Sequence, residues 1–321
     1  MSTKKLYKIP LLVICGPTGS GKSAMALELA QHTPLEIVSA DSRQVYRLLD
    51  IGTAKASKAE QEQVPHHMID LIDPDQEFSV AAYVDLARPL IEQIYQRGNL
   101  PCLVGGTGLY IKALLGGLAR LPSGDPQLRR RLHQREEEQG SGILHCELQK
   151  LDPESAAVIH PNNLIRTVRA LEVCLLSGKK FSTIKAEHHF VEEAYRVVTL
   201  APDYPRQTLY QRIDERTRQM LEAGLVDEVR NLVERYGEDL KALQTLGYRE
   251  VLHFLSGHYN ADQLCEEIQL RTRQYAKKQL TWFRKEPDIF WVDSTNRSDR
   301  VIKYIDHLIC HQRSGHGQIT I

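Results

Sequence analysis

The sequence predicts an α/β protein: a parallel sheet covered by helices on both faces, with an all-helical insertion between two of its strands. Three observations predict it. Short apolar runs of strand length alternate with helical patterns through residue 118, helical patterns alone occupy 119 to 195, and a strand-like run at 195–202 returns the chain to the sheet.

The first element is the apolar run LLVIC at 11–15, followed by a glycine-rich turn and by SAMALELAQ, whose alanine and leucine content favours helix. A second strand, EIVSA, ends at Asp41. A third, LPCLVGG, ends at Gly105-Gly106 and leads into LYIKALLGG, which has helical spacing. In the insertion, LRRRLHQREEEQG, LHCELQKLDPESAAVI and NNLIRTVRALEVCLLSGKK read as consecutive amphipathic helices punctuated by Gly and Pro. After the returning strand YRVVTLAP, the segments TLYQRIDERTRQMLEAGLVDEVRNLVERYG and ADQLCEEIQLRTRQYAKKQLTWFRK are long helix candidates, and FWVD is a last strand. These readings give a core of residues 1–118 and 196–321, which carries the C-terminal helices, and an insertion domain of 119–195.

Composition bounds the function. The 321 residues are 42% hydrophobic and 26% charged, the balance of a globular protein with a sizeable core and not of a disordered chain. The formal net charge is +0, so any nucleic acid must be held by local basic clusters. Cys15, Cys102, Cys146, Cys174, Cys265 and Cys310 have no metal-type spacing, and Cys15 and Cys102 lie in strand-like runs as small buried hydrophobes, which fits a reducing compartment. His66 and His67 have no third ligand at suitable spacing, so they are expected to pack or to edge a site and not to hold zinc. The N-terminal apolar stretch runs straight into a glycine-rich loop and is too short to span a bilayer; a cytoplasmic protein that does not contact membranes is expected, with a monomer as the default.

Gly16-Pro17-Thr18-Gly19-Ser20-Gly21-Lys22-Ser23 satisfies G-x-x-x-x-G-K-[ST] between a strand and a helix. Glycines let backbone N–H groups converge on phosphate oxygens, the helix N-terminus adds partial positive charge, Lys22 adds a point charge, and Ser23 can ligate Mg²⁺. The core is therefore P-loop NTPase-like. The motif specifies a phosphate and suggests a nucleotide, but not the reaction. An NTPase would carry an apolar strand ending in a metal-binding Asp; the Leu103-Val104 strand ends in Gly105-Gly106-Thr107, whereas Asp41 ends another strand and could be that residue.

Further segments carry a resemblance: SADSRQVYRLLDIGTAK at 39–55, PHHMIDLIDP at 65–74, LVGGTGLYIKALLGGL at 103–118, HPNNLIRTVRALEV at 160–173, LGYRE at 246–250 and AKKQLTWFRK at 276–285. Together with the P-loop, the sequence resembles the tRNA dimethylallyltransferases, also called tRNA isopentenyltransferases, in the family's order and over nearly the whole chain. The resemblance implies that the P-loop holds dimethylallyl diphosphate, with Mg²⁺ as cofactor, and that the acceptor is N6 of adenosine 37 in the anticodon loop of tRNA. Such an amine is a poor nucleophile because its lone pair is delocalised into the ring, so a base helps. Asp41 matches the family's base, and an ordinary aspartate is ionised at neutral pH. Departure of diphosphate builds negative charge that Lys22, the loop amides and Mg²⁺ would stabilise, each such donor being worth on the order of ~3 kcal/mol in other enzymes. Thr107 matches a position near the reacting centre, where it would bond the diphosphate or place the base. Arg216, one turn after Arg212, matches an arginine that contacts the diphosphate.

To react at N6, the adenine must leave its stack and enter a pocket. The resemblance carries tRNA contacts to Ser42, Arg43 and Gln44 and to Ile165, Arg166, Thr167, Val168 and Arg169; Asp41, Thr107 and Arg129 are expected to touch the tRNA as well. The resemblance also carries contacts to Gln244, Thr245, Leu246, Gly247, Tyr248 and Arg249, and to Lys277, Lys278, Gln279, Leu280, Thr281, Trp282, Phe283 and Arg284. In QLRTRQYAKKQLTWFRK, cations lie beside Tyr275, Trp282 and Phe283, a pattern that pairs phosphate partners with stacking surfaces. The run Arg129-Arg130-Arg131, with Arg166 and Arg169, offers a second basic surface or a solvated helix face. Two other functions compete: a small-molecule P-loop kinase or NTPase with Ser23 and Asp41 on Mg-ATP, and a tRNA-binding protein without turnover.

Overall fold

The structure, a computed structural model, describes residues 8–119, 121–187 and 194–293. The chain divides into two compact units, residues 1–115 with 193–321, and residues 116–192.

The first unit is built on six strands: β1 (Ile9–Cys15), β2 (Leu35–Ser39), β3 (His66–His67), β4 (Leu100–Gly105), β5 (Tyr195–Asp203) and β6 (Ile289–Asp293). They form one all-parallel sheet in the order β3-β2-β4-β1-β5-β6. Residues Leu11 to Ile14 are fully buried, as a central parallel strand with both faces covered must be. Between β1 and β2 runs α1 (Lys22–Ala30), between β2 and β3 the short α2 (Lys58–Gln63), between β3 and β4 α3 (Val80–Gln96), and after β4 α4 (Gly108–Gly116). The step from β1 to β2 and the step from β3 to β4 run across the sheet in opposite directions. Right-handed crossovers therefore place α1 and α3 on opposite faces. Leu12 and Ile14 pack with Met25, Ala26 and Leu29 of α1.

In α3, Tyr83, Val84, Ala87, Ile91 and Ile94 form a buried helical stripe interrupted by Pro89, which the helix accommodates. The edge strand β3 is only two residues long and is held by chemistry instead of periodicity. The buried Glu36 of β2 bonds His67 Nε2 at 2.6 Å and accepts from Arg97 at 2.6 and 3.1 Å and from Asn99 at 2.8 Å. Burial alone would raise its carboxyl, but these donors outweigh burial and hold it down at about 2.

The second unit holds α5 (Pro126–Gln139), α6 (Ile143–Leu151), α7 (Pro153–Val158), α8 (Leu164–Ser177) and α9 (Phe181–Glu187). Its own core gathers Leu132, Leu144, Leu148, Val168 and Leu171. After β5 come α10 (Arg206–Glu222), α11 (Leu225–Tyr236), a 3₁₀ turn (Lys241–Gln244), α12 (Tyr248–Leu255) and α13 (Ala261–Phe283). The single long helix expected over 208–237 is two helices, because Gly224 takes a φ of 99° and starts α11 afresh. No described helix is long and apolar enough to cross a membrane. The five cysteines among the described residues are free, with Cys15 and Cys102 buried; Cys310 lies outside the described residues.

Candidate active site

The strands of a parallel sheet end on one edge, where loops collect. At that edge the loops after β1, β2 and β4 meet. In the first, Gly19 and Gly21 take φ values of 79°, which a side chain would resist, and Gly21 starts α1 without a side-chain cap, leaving the helix N–H groups free for an anion. Ser20 Oγ and Lys22 Nζ donate to Pro17 O at 2.8 and 2.7 Å. From outside, Arg212 Nε donates to Gly19 O, and Gln279 Oε1 accepts from the Thr18 N–H, both at 2.9 Å.

Asp41 stands just past β2. Its Oδ1 accepts from the Arg43 N–H at 2.8 Å, a local turn that aims the carboxylate. Thr107 braces this loop: its hydroxyl accepts from the Ser42 N–H at 3.1 Å and its own N–H donates to Ala40 O at 3.1 Å. The glycines around it make room for three different neighbours. A Cβ on Gly105 would overlap the Ala40 backbone, one on Gly106 the Gln279 amide, and one on Gly108 the Trp282 ring.

These loops enclose a cavity of about 370 Å³, within the range of small-ligand sites. Its walls include Lys22 and Ser23, Asp41 and Arg43, and Arg216 and Tyr275. A broader space of about 1000 Å³ adjoins it along Lys22, Ser23 and Arg216. Burial and the Arg216 charge push Lys22 down to about 8, against the pull of Asp41. Burial, then Arg212, likewise lowers Arg216, again against Asp41. Two cations thus face one carboxylate, and the surplus charge suits an anion with several oxygens.

The sequence pattern of the Isopentenyl transferase family matches residues 9–71, and that of the IPP transferase family matches residues 44–286. The chain belongs to the IPP transferase family. It is 47% identical over 301 residues to the tRNA dimethylallyltransferase 1 of Syntrophotalea carbinolica, covering 94% of this chain and 96% of the relative. It is 45% identical to the tRNA dimethylallyltransferase of Geobacter metallireducens, over 94% and 98%. Among solved structures it superposes on the tRNA isopentenylpyrophosphate transferase of Bacillus halodurans with a TM-score of 0.69 at 39% identity, covering 95% and 97%. A eukaryotic dimethylallyltransferase captured acting on tRNA gives a TM-score of 0.82 at 30% identity, over 94% of this chain and 79% of that one. The P-loop NTPase-like sheet is the fold this IPP transferase shares with them.

Of the residues expected to face RNA, Ile165, Arg166, Gln244, Arg249, Lys277, Lys278, Thr281, Trp282 and Arg284 are exposed. Thr245 and Leu246 line the cavity, and the Thr245 hydroxyl has no partner among the described residues. Leu280 is half-buried. Thr167, Val168, Gly247, Tyr248, Gln279 and Phe283 are buried and pack or bond inside their own unit. Gln44 lines the cavity, and its amide bonds Ser39 Oγ at 3.0 Å and the Thr53 and Ala54 carbonyls at 3.2 Å. Arg129 and Arg169 are not a free basic surface, because both grip the fully buried Glu172 carboxylate.

Three structural residues were given no role by the sequence. Glu228 of α11 accepts from the N–H groups of Asp50, Ile51 and Gly52 at 3.1, 2.8 and 3.2 Å and from the Tyr248 hydroxyl at 2.6 Å. Lys55 bonds Tyr46 O, Asp50 and Asp70 at 2.9, 2.5 and 2.6 Å. Glu172 is the third. The first two hold the segment after β2, where Leu48 and Ala54 take positive φ, and Lys55 ties it to the turn after β3, where Met68 and Asp70 do the same, a strain of the kind that gathers at functional sites.

Proposed function

We propose that this chain transfers the dimethylallyl group of dimethylallyl diphosphate to N6 of adenosine 37 beside the tRNA anticodon, yielding N6-(dimethylallyl)adenosine and diphosphate. The observation that carries the reading is the cavity's polarity: Lys22, Arg43 and Arg216 line it with Asp41 as a carboxylate that acts on both Lys22 and Arg216, so positive charge is in excess. The P-loop amides, Lys22 and Arg216 hold the diphosphate. As the N6 lone pair bonds the allylic carbon, the carbon–oxygen bond breaks, the electron pair leaves with diphosphate, and Asp41 takes the amine proton. Thr107 acts through the loop it braces.

Ser23 and Asp41 offer only oxygen donors, and the Ser23 hydroxyl is exposed with no partner among the described residues, so the site fits Mg²⁺. When bound at Ser23, the ion would supply charge neutralisation for the leaving group. The exposed face of α13, with Lys277, Lys278, Thr281 and Trp282, supplies phosphate and stacking partners for the anticodon loop, and Tyr275 lies at the mouth on the same helix. A phosphoryl-transfer reading is weaker because β4 ends in Gly105-Gly106-Thr107, without a second carboxylate.

The test incubates the protein with Mg²⁺, dimethylallyl diphosphate and unmodified tRNA, then weighs the digested nucleosides. The expected product is an adenosine heavier by one five-carbon unit; unmodified adenosine alone would sink the reading.

A further inference from the structure

Gln279 of α13 is expected, by resemblance, to touch RNA; it is buried, and both ends of its amide are bonded inside the protein. Its Oε1 accepts from the Thr18 N–H of the P-loop, and its Nε2 donates to the Gly106 carbonyl at the end of β4, each at 2.9 Å. The partners fix the amide's orientation, since an N–H needs the oxygen and a carbonyl needs the NH₂. Beyond Gly106 the chain enters Thr107, which bonds both Ala40 O and the Ser42 N–H, the residues on either side of Asp41. One side-chain amide therefore joins the loop that carries Lys22 to the brace that fixes Asp41.

We propose that Gln279 is a positioning residue that sets the separation between the diphosphate-holding loop and the Asp41 base. The inference rests on the functional reading above. It needs an amide: a hydrocarbon of the same length makes neither bond, and a carboxylate accepts from Thr18 but repels the Gly106 carbonyl. A neutral carboxylic acid makes both, its C=O accepting from Thr18 and its O–H donating to Gly106. This gives a readout that a merely structural role would not move.

The experiment measures transfer by the full chain with saturating dimethylallyl diphosphate and unmodified tRNA. In Gln279→Met, kcat should fall about 30-fold or more, because small misplacements of reacting groups are costly, while KM for the diphosphate and tRNA affinity change by less than about threefold. In Gln279→Glu, kcat should be similarly poor at alkaline pH, and its ratio to the wild-type kcat should rise as pH falls and the buried carboxyl takes its proton. The ratio cancels the titration of Lys22, Asp41, Arg43, Arg216 and Tyr275, which share the cavity. A Met variant within about twofold of wild type, or a Glu ratio flat across pH, overturns the proposal. If the Met variant does not fold, the Glu profile decides. A wild-type protein that transfers nothing overturns the functional reading instead, whereas an active wild type with unaffected variants overturns this inference alone.

Discussion

Two clusters that each set cations against one carboxylate behave in opposite ways. In the insertion, the buried Glu172 carboxylate takes Arg129 at two points of 2.9 Å, the Asp125 N–H at 2.6 Å, and Arg169. Burial would raise this carboxyl, but the arginines and the N–H hold it below the ordinary range. Its acceptor sites are matched from within. At the cavity, burial pushes Lys22 and Arg216 down, helped by Arg216 at Lys22 and by Arg212 at Arg216, while Asp41 is the carboxylate that pulls both up. The difference teaches how to tell architecture from a site: a closed network holds the fold, and a surplus of one sign awaits its match from a ligand.

The comparison breaks if mutations in the two clusters have the same kind of effect. The largest expected effect is at the base: Asp41→Asn should lower transfer by roughly 10³-fold while tRNA affinity, measured by filter binding, stays within a few-fold. Next, Lys22→Met should lower kcat by roughly 10²-fold without destabilising the protein, since it removes crowded positive charge. Arg216→Lys should keep more activity than Arg216→Met, because it retains the charge and loses only the fork. In the closed cluster the order reverses. Glu172→Ala strands Arg129 and Arg169 and should cost about 3 kcal/mol of stability by denaturant titration, with much less change in kcat per folded molecule.

The smallest effect is a pH dependence at a second closed network. Glu36 is held at about 2, below its ordinary 4.5, by Arg97, Asn99 and His67 acting against burial. Between those values the unfolded chain binds the proton and the folded one does not. The stabilisation is therefore complete above about 4.5 and lost as pH falls towards about 2, a contribution on the order of 3 kcal/mol. In Glu36→Gln, acid unfolding curves should lose that portion of their slope; an unchanged curve would place the acid sensitivity elsewhere.

What was legible in the sequence was contiguous. The P-loop, the strand ending at Asp41 and the GGTG turn each lie within a few residues, so their backbone requirements show as glycines and apolar runs. The membership of the site was also readable for Arg216, through resemblance. What was not legible joins distant positions: Gln279 to Thr18 across 261 residues, Glu228 to Gly52 across 176. A buried amide or carboxylate bonded to backbone leaves no periodicity, because any donor will serve it. For the same reason Arg129 and Arg169 read as a basic surface, since nothing in their spacing reveals that Glu172 neutralises them from within. β3 was missed because two residues carry no pattern, and α3 because Pro89 masks one.

The most direct test is a crystal structure of the protein with tRNA and an unreactive analogue of dimethylallyl diphosphate. The account predicts the adenine unstacked in the cavity with N6 about 3 Å from an Asp41 oxygen, and the diphosphate on the P-loop between Lys22 and Arg216. A diphosphate bound away from that pair, or an N6 out of hydrogen-bond reach of Asp41, would contradict it.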